Sequence, residues 1–254
     1  MADLSQVAAR HRATLRRAVR PLLHRGDAVA CPCCGKQFSG FVRHRARPHA
    51  KCPYCASLER HRLLHLYITE RTDLPDGRYS VLHLAPEYEL QRYLRSRPNL
   101  TYRSADLDSP LADDQVDIQA LPYDDESFDV VLCLHVLEHI PDDRLAMREL
   151  HRVLKPGGRA IVMCPIDYDR SETLEDPSVT DPKERARVFG QFDHVRLYGP
   201  DFEDRLAEAG FAVRLDRFID ELPPSRVARY GLRRDEKLFG REHVYLCTKK
   251  ATVA

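Results

Sequence analysis

The apolar positions between Phe128 and Pro165 follow two different periods in succession. Val130, Val131 and Leu132 run continuously behind Asp129, the mark of a strand buried on both faces. After a short turn, Leu145, Met147, Leu150, Val153 and Leu154 recur near helical spacing. Lys155-Pro156-Gly157-Gly158 cannot continue a helix and offers the positive-φ geometry of a C-cap. Ala160 to Met163 then opens a second apolar strand. Strand, helix and strand at this length predict a βαβ unit in a parallel sheet covered on both faces.

The same reading extends along the chain. Arg78 to Ala85 is the first predicted strand, Leu100 to Asp106 the second and Val116 to Ile118 the third; Phe211 to Leu215 and His243 to Cys247 are the last two. Pro200 to Ala209 reads as a helix ending at Gly210. A helix from Ser57 carries Leu63, Leu64, Leu66, Tyr67 and Ile68, and Leu74-Pro75-Asp76-Gly77 ends it. Residues 166–198 are too long for a bare connection in a compact domain and are expected to form a lid, with Gln191, His194, Arg196 and Tyr198 as candidates to reach a cleft. The first 27 residues, Arg-rich with apolar spacing near 3.6, predict an amphipathic helix. The expected division is therefore a basic helix (1–27), a cysteine module (28–56), a connecting helix (57–76) and a catalytic domain (77–254).

The cysteine module changes the picture most. Cys31-Pro-Cys-Cys34 and Cys52-Pro-Tyr-Cys55 are two C-x-x-C turns with 17 residues between them. Each turn aims two thiolates at one point, and four thiolates close a tetrahedral zinc shell. Cys31, Cys34, Cys52 and Cys55 are the predicted ligands of a structural zinc, with no position left for water or substrate; Cys33 points elsewhere. Eight cysteines without a secretory signal favour ligation over disulfides and a reducing, cytoplasmic setting.

A chain of 254 residues with 43% hydrophobic and 31% charged residues has the composition of a soluble α/β domain with a small appendage. No apolar run approaches the ~20 residues of a membrane helix, so no membrane partner is expected. Residues 1–62 hold 13 Lys/Arg against 3 Asp/Glu, a net +10, leaving −9 on the remainder. A basic head on an acidic body either packs together or meets an anionic partner.

The wording FDVV…VLEHI…ELHRVLKPGG closely resembles the middle of the class I S-adenosylmethionine-dependent methyltransferases, the small-molecule type (type 11-like) in particular, over roughly residues 78–250. The resemblance implies a Rossmann-like doubly wound, mostly parallel, seven-stranded methyltransferase sheet, here with a small N-terminal zinc-ribbon module. Such proteins usually follow the first strand with an acidic residue and a Gly-x-Gly loop. This chain has His83-Leu-Ala85-Pro86-Glu87 instead, a degenerate LHLAPE motif with both glycines gone. His83, Ala85, Pro86 and Glu87 are placed at the cofactor by that resemblance. Glu87 either meets the cofactor's ammonium or favours the next helix's N-terminus through its dipole.

The resemblance also assigns the ribose hydroxyls to Asp106, with Asp108 as fallback, and the adenine to Asp117 and Ile118. Asp129 is expected to orient the fourth strand. Glu138 and His139 match the family's LEH beside the transferable methyl, and His135 joins the cofactor set. The spacing His135-x-x-Glu138-His139 also leaves open a metal on one helical turn. The implied activity is methyl transfer to a metabolite or natural-product precursor, with His139 or His194 taking a proton and Glu138 in support. Alternatives are an RNA methyltransferase using the basic module, a scaffold that has lost catalysis, and transfer of another group or ring formation from the same sulfonium. The acidic body and the few aromatics of the module make a nucleic-acid partner the lesser expectation. Oligomeric state is not legible.

Overall fold

A computed structural model describes residues 23–45, 47–233 and 242–251. The helix expected over 1–27 falls almost wholly outside them. The chain forms two compact units: residues up to Asp73 together with Leu222–Arg233, and Leu74–Glu221 together with the C-terminal stretch.

The first unit starts with two short hairpins. Strand β1 (Val29–Cys31) pairs antiparallel with β2 (Lys36–Phe38), and β3 (Val42–His44) with β4 (Arg47–Lys51). Helix α1 (Glu59–Arg71) follows, and a short helix Pro224–Tyr230 belongs to the same unit. Arg62, fully buried on α1, joins these parts. Its Nη1 donates to Ala50 O (3.0 Å) and Ser57 O (2.9 Å), its Nε to Tyr230 O (2.6 Å) and its Nη2 to Gly231 O (2.8 Å). The guanidinium also stacks 3.9 Å from the Phe41 ring centroid. Gly231 ends the returning helix at φ +56°, and a Cβ there would lie 2.5 Å from that ring, so this approach needs glycine twice over.

The second unit holds a seven-stranded sheet. In chain order the strands are β5 (Tyr79–Leu84), β6 (Leu100–Asp106), β7 (Asp114–Gln115), β8 (Phe128–Leu134), β9 (Leu154–Met163), β12 (Ala212–Asp216) and β13 (Val244–Thr248), where β10 (Leu174–Glu175) and β11 (Arg196–Leu197) form a separate ribbon. The sheet order is β12-β13-β9-β8-β5-β6-β7; all neighbours are parallel except β13, antiparallel to both β9 and β12. This is the Rossmann-like methyltransferase fold that the apolar runs and the family wording imply. The chain lays β5, adds β6 and β7 to one side, then returns to add β8 and β9 to the other. The reversal makes β5/β8 the switch point, the place where sheets of this kind bind ligands beyond the carboxyl ends of the strands. The core is the buried apolar set of the central strands, including Leu82, Leu84, Val131 and Val162, with Met147 and Leu150 of α3 (Asp143–Val153) packed on it.

Three local expectations change. Strand β9 begins at Leu154, straight out of α3, so the Lys155–Gly158 run lies in the strand. Its backbone finds partners: Leu154 pairs with Phe128, Gly157 N donates to Lys249 O, and Lys249 N donates to Gly158 O. The third strand is Asp114–Gln115, shorter and earlier than Val116–Ile118. Asp114 is anchored there by Arg103 and the Tyr123 hydroxyl (2.7 Å), whereas Asp117 turns the chain by accepting from Gln119 N (2.8 Å). Leu145 is exposed, because it sits in the first turn of α3, its backbone N bound to the Asp142 cap.

Candidate active site

Two residues at the switch point carry backbone strain. Ala85, just past β5, has φ +46°, and His135, just past β8, has φ +54°. The left-handed region costs an L-residue roughly 1–2 kcal/mol. Both are held by backbone bonds to neighbouring strands: Ala85 N to Ala105 O and His135 N to Met163 O, each 2.8 Å. Ala85 therefore keeps a glycine-like backbone where the glycine motif is lost, with the smallest L side chain. Outliers of this kind cluster at functional sites.

His83, fully buried at the end of β5, bridges two groups. Its Nδ1 lies 2.9 Å from the Tyr102 hydroxyl and its Nε2 3.2 Å from Glu87 Oε2. Burial pushes the Tyr102 phenol up, so the hydroxyl stays protonated at neutral pH. Glu87 is the N-cap residue of α2 (Tyr88–Arg95) yet makes no side-chain cap bond; its carboxylate turns back to His83 instead. Pro86 is half-buried between them in sequence.

Asp106 ends β6, and its Oδ1 accepts from Asp108 N (2.8 Å) and Ser109 N (2.7 Å). The carboxylate is thus oriented at the crevice edge of the strand, with Asp108 itself exposed. Asp117 lies beyond the end of β7, exposed, while Ile118 is buried. Asp129 lies at the opposite edge. It takes Ser80 N and Oγ (2.7 Å each) and Lys155 Nζ (2.9 Å), binding the starts of β5, β8 and β9 together.

The densest polar group follows β8, where a 3-10 turn (Leu137–His139) starts. Glu138 is 2% exposed. Its Oε1 lies 3.3 Å from His135 Nδ1, and His135 Nε2 lies 3.4 Å from Glu242 Oε2. Burial alone would lower the His135 pKa, but the two carboxylates prevail and raise it to about 9. Burial would likewise raise Glu138, yet the hydrogen bond from His135 holds its carboxyl below the usual range. His139 Nδ1 faces Asp193 O at 3.2 Å. His194, 3% exposed, sets its Nδ1 3.2 Å from Phe189 O and its ring edge-on to His139, centroids 4.8 Å apart. Burial lowers the His194 pKa, so this imidazole is neutral at pH 7. Atoms of Glu138, His139 and His194 converge within 4.8 Å of one another.

His194 comes from residues 166–198, which are well tied down. The ribbon β10/β11 runs through the segment, helix α4 (Pro182–Val188) starts at an Asp181 cap, and Ile166 bridges Tyr198. Arg196 and Tyr198, expected to reach substrate, instead fasten the segment from within. Arg196 donates to Leu137 O (3.1 Å), Ile140 O and Pro141 O (2.9 Å), and Tyr198 donates to Asp143 Oδ2 (2.7 Å). Both are buried, and Arg205 Nη1 adds a second donor to Asp143 Oδ2 at 3.2 Å. Gln191 binds Asp193 at 2.9 Å. A cavity of about 450 Å³ opens beside this segment, bounded by Pro141, Glu175, Val179, Arg185 and Val195. Sequence reasoning missed Glu242, and also Asp220, which with Tyr168 brackets His243 at 3.2 and 2.7 Å. Nothing in local spacing links residues so far apart; only the antiparallel return of β13 brings 242 and 243 to the carboxyl end of β9.

In the first unit, Cys31, Cys34, Cys52 and Cys55 place their sulfurs within 4.8 Å of one another. Cys31 and Cys55 are 3.6 Å apart, Cys34 and Cys52 3.9 Å. A tetrahedron with metal–sulfur bonds near 2.3 Å needs edges of about 3.8 Å, so the residues fit zinc. The two knuckles are alike: Gly35 N returns to Cys31 O (2.9 Å) and Ala56 N to Cys52 O (3.1 Å), at φ +69° and +65°. Cys33 turns away to His61 O at 3.5 Å.

Comparison with known proteins bears on the second unit. Residues 81–162 match the family described as "Methyltransferase domain". That stretch is similar to methyltransferase domains. The chain is 44% identical over 63 residues to 27-O-demethylrifamycin SV methyltransferase of Amycolatopsis mediterranei, covering 25% of this chain and 23% of that one. It is 43% identical over 49 residues to the ubiquinone/menaquinone biosynthesis C-methyltransferase UbiE of Idiomarina loihiensis, covering 19% and 20%. The chain thus spans about a fifth of the length of the curated relatives it matches. Among solved structures it resembles the [4+2]-cyclase SpnF, with a TM-score of 0.52, 18% identity and 75% and 82% of the two chains covered. A second is an S-adenosylmethionine-dependent methyltransferase from Mesorhizobium loti, at 0.50, 16%, and 68% and 92%. The matched stretch of the methyltransferase domain runs from β5 to β9 and so contains both strained strand ends and the Glu138–His139 turn. His194, Glu242 and the four cysteines lie outside it.

Proposed function

We propose that this protein transfers a methyl group from S-adenosylmethionine to a small-molecule nucleophile, in a crevice at the carboxyl ends of β5, β6 and β8. The observation that carries this reading is the paired strain at Ala85 and His135, on the two strands flanking the switch point. The relatives support the acceptor class, since their names describe enzymes acting on rifamycin and quinone precursors. When bound, S-adenosylmethionine supplies an activated methyl, whose carbon bonds to the acceptor's lone pair as the C–S electron pair returns to sulfur.

The chain's residues divide the remaining work. Asp106, fixed through Oδ1, keeps Oδ2 for the ribose diol; Asp117 and Ile118 take the adenine edge and face. Ala85 gives the backbone its close approach without glycine, and Pro86 stiffens the turn beyond. Glu87, pinned by His83, offers negative charge to the cofactor's ammonium. His135 lies at the floor, paired with Glu138 and Glu242. Glu138, His139 and His194 handle the acceptor's proton, and the segment carrying His194 excludes water from the methyl. Zinc at Cys31, Cys34, Cys52 and Cys55 is structural, because all four positions are filled by protein.

Calorimetric titration with S-adenosylmethionine tests the reading. Saturable binding is expected, together with S-adenosylhomocysteine in the purified protein by mass spectrometry. A folded chain that takes up neither overturns it.

A further inference from the structure

The hairpin of β3 and β4 carries positive charge that the described residues do not answer. Register sets Arg47 opposite His44 and Lys51 opposite Val42. Arg43 and Arg45 are exposed on the same hairpin, and Arg60 stands in the first turn of α1. Of these five cations only Arg47 has a carboxylate, Glu59 Oε2 at 3.2 Å. Among the described residues no hydrogen bond or ion pair engages the side chains of Arg43, Arg45, Lys51 and Arg60, and Arg60 Nε is buried without a partner. In the second unit, by contrast, Arg103, Arg152, Arg187, Arg196 and Arg205 all sit on carboxylates. Burial lowers the His44 pKa, and the charges of Lys51, Arg47, Arg45 and Arg60 lower it further, so all four act on one place. Like charges held this close repel until an anion joins them.

The chemistry of that anion follows from what accompanies the charges. All but Lys51 are guanidiniums, whose planar forks match phosphate oxygens two at a time. The hairpin offers rings beside them: His44 is half-buried, and His49 is exposed with Nδ1 3.3 Å from Phe41 O. Tyr54, 39% exposed, stands on the second knuckle with Lys36 Nζ 4.6 Å from its ring centroid. Imidazole and phenol faces stack on unpaired bases. A count of aromatics passes over this, because Phe38 and Phe41 are buried in the module's core and the outward rings of the hairpin are histidines. A protein partner favours an apolar centre depleted of charge, and lasting membrane attachment needs an apolar insertion besides basic charge. In the first unit, Leu23 and Tyr54 are the only exposed large hydrophobics among the described residues.

We infer that the β3/β4 hairpin and the start of α1 bind single-stranded nucleic acid. Arg43, Arg45, Lys51 and Arg60 take phosphates of the backbone, and His44 and His49 stack on bases. These contacts read no sequence, because phosphates and π-faces are common to every nucleotide. The surface lies wholly in the first unit. It is a second binding function beyond methyl transfer to a small molecule, and it assigns nothing about the methyl acceptor.

Fluorescence anisotropy on the full chain, with labelled twenty-nucleotide RNA and DNA strands of mixed sequence, tests this. Four phosphate contacts on a single strand predict a log–log salt slope of about −2.8, hence roughly fiftyfold weaker binding at 200 mM than at 50 mM salt. Removing two of them in Arg43→Gln/Arg45→Gln should halve that slope and weaken binding about 25-fold at roughly 100 mM salt. Arg148 and Arg217 are exposed in the second unit. Arg148→Gln/Arg217→Gln, an equal change of net charge, should stay within about twofold of wild type, since distant charges are screened. A wild-type chain that binds neither strand at 50 mM salt overturns the inference, and so does equal loss in the control pair. Competition by poly-glutamate as strong as by RNA overturns it in favour of an acidic protein. Capture by phosphatidylserine vesicles without strand binding overturns it in favour of a membrane surface. Arg60→Gln, on a different element, decides if the hairpin variant loses the wild-type melting curve; should both lose it, the wild-type slope and the competition decide. Tighter binding of RNA than DNA supports the inference and adds a 2′-hydroxyl contact, and equal binding supports backbone and bases alone. S-adenosylmethionine titrated in parallel separates the two readings. Cofactor bound without strand binding sinks only the nucleic-acid surface, and strand binding without cofactor sinks only the methyltransferase assignment.

Discussion

The cysteine cluster and the Glu138–His139–His194 cluster each gather polar side chains from separate stretches of chain and differ in how they are built. Four sulfurs on two near-identical knuckles face one another, and nothing is left over. Two imidazoles and a carboxylate are brought together from a 3-10 turn and from the stretch just before β11. The first arrangement is built from local turns, so it is written in short spacing; the second is built by tertiary structure. A closed shell stabilises a fold, whereas an open one leaves room for a reacting group. The two clusters therefore point to two different roles.

The largest effect expected from breaking this contrast is at Cys52. Cys52→Ser should abolish zinc binding and unfold the first unit, since structural zinc contributes on the order of 10 kcal/mol to small modules. Hydrogen exchange should show protection lost over 23–73 and 222–233 and kept in β5, β8 and β9. Retained zinc, or equal loss in both regions, would contradict the assignment.

Next is Arg62. Replacing it by Met keeps much of the packing but leaves the carbonyls of Ala50, Ser57, Tyr230 and Gly231 without their donor. A loss of about 3 kcal/mol or more is expected by denaturant titration. A variant within 1 kcal/mol of wild type would show that water replaces the guanidinium.

In the open region the effects should be smaller and should not touch zinc. Asp106→Ala is expected to weaken S-adenosylmethionine by about 1–3 kcal/mol, roughly five- to 150-fold, by removing an acceptor for the ribose. Unchanged affinity by calorimetry would move that contact to Asp108. The smallest effect is at Ala85. Glycine there relieves the left-handed strain at φ +46° and should stabilise the protein by about 1 kcal/mol, raising the melting temperature by a few degrees. A lower melting temperature would mean that the alanine methyl contributes more packing than its backbone costs.

The degree to which each region was legible follows from the same contrast. The strands were readable because Val130–Leu132 and Ala160–Met163 are buried on both faces and admit no polar residue. The cysteine turns were readable because two ligands stand three residues apart. Boundaries failed where backbone pairing, not side-chain pattern, decides. Gly157 and Gly158 look like a helix stop, but their backbone groups meet Lys249 and the chain runs on as strand. Arg196 and Tyr198 looked like substrate contacts because they are polar in a long loop; carbonyls at 137, 140 and 141 claim the arginine and Asp143 the tyrosine. The partnership of His135 with Glu242 spans 107 residues, and no one-dimensional signal marks it.

Arg62 has one more consequence, in the order of events during synthesis. Two of its four carbonyl partners, Tyr230 and Gly231, are 168 and 169 residues downstream. At translation rates of roughly 5–20 residues per second, a ribosome needs about ten to thirty seconds to reach them after Arg62 is made. During that interval the cysteine module has its ligands but not its last helix, and a buried cation waits half-satisfied. Zinc arriving early would hold the module through this gap. A gene fragment ending near residue 73 would encode a module that never closes.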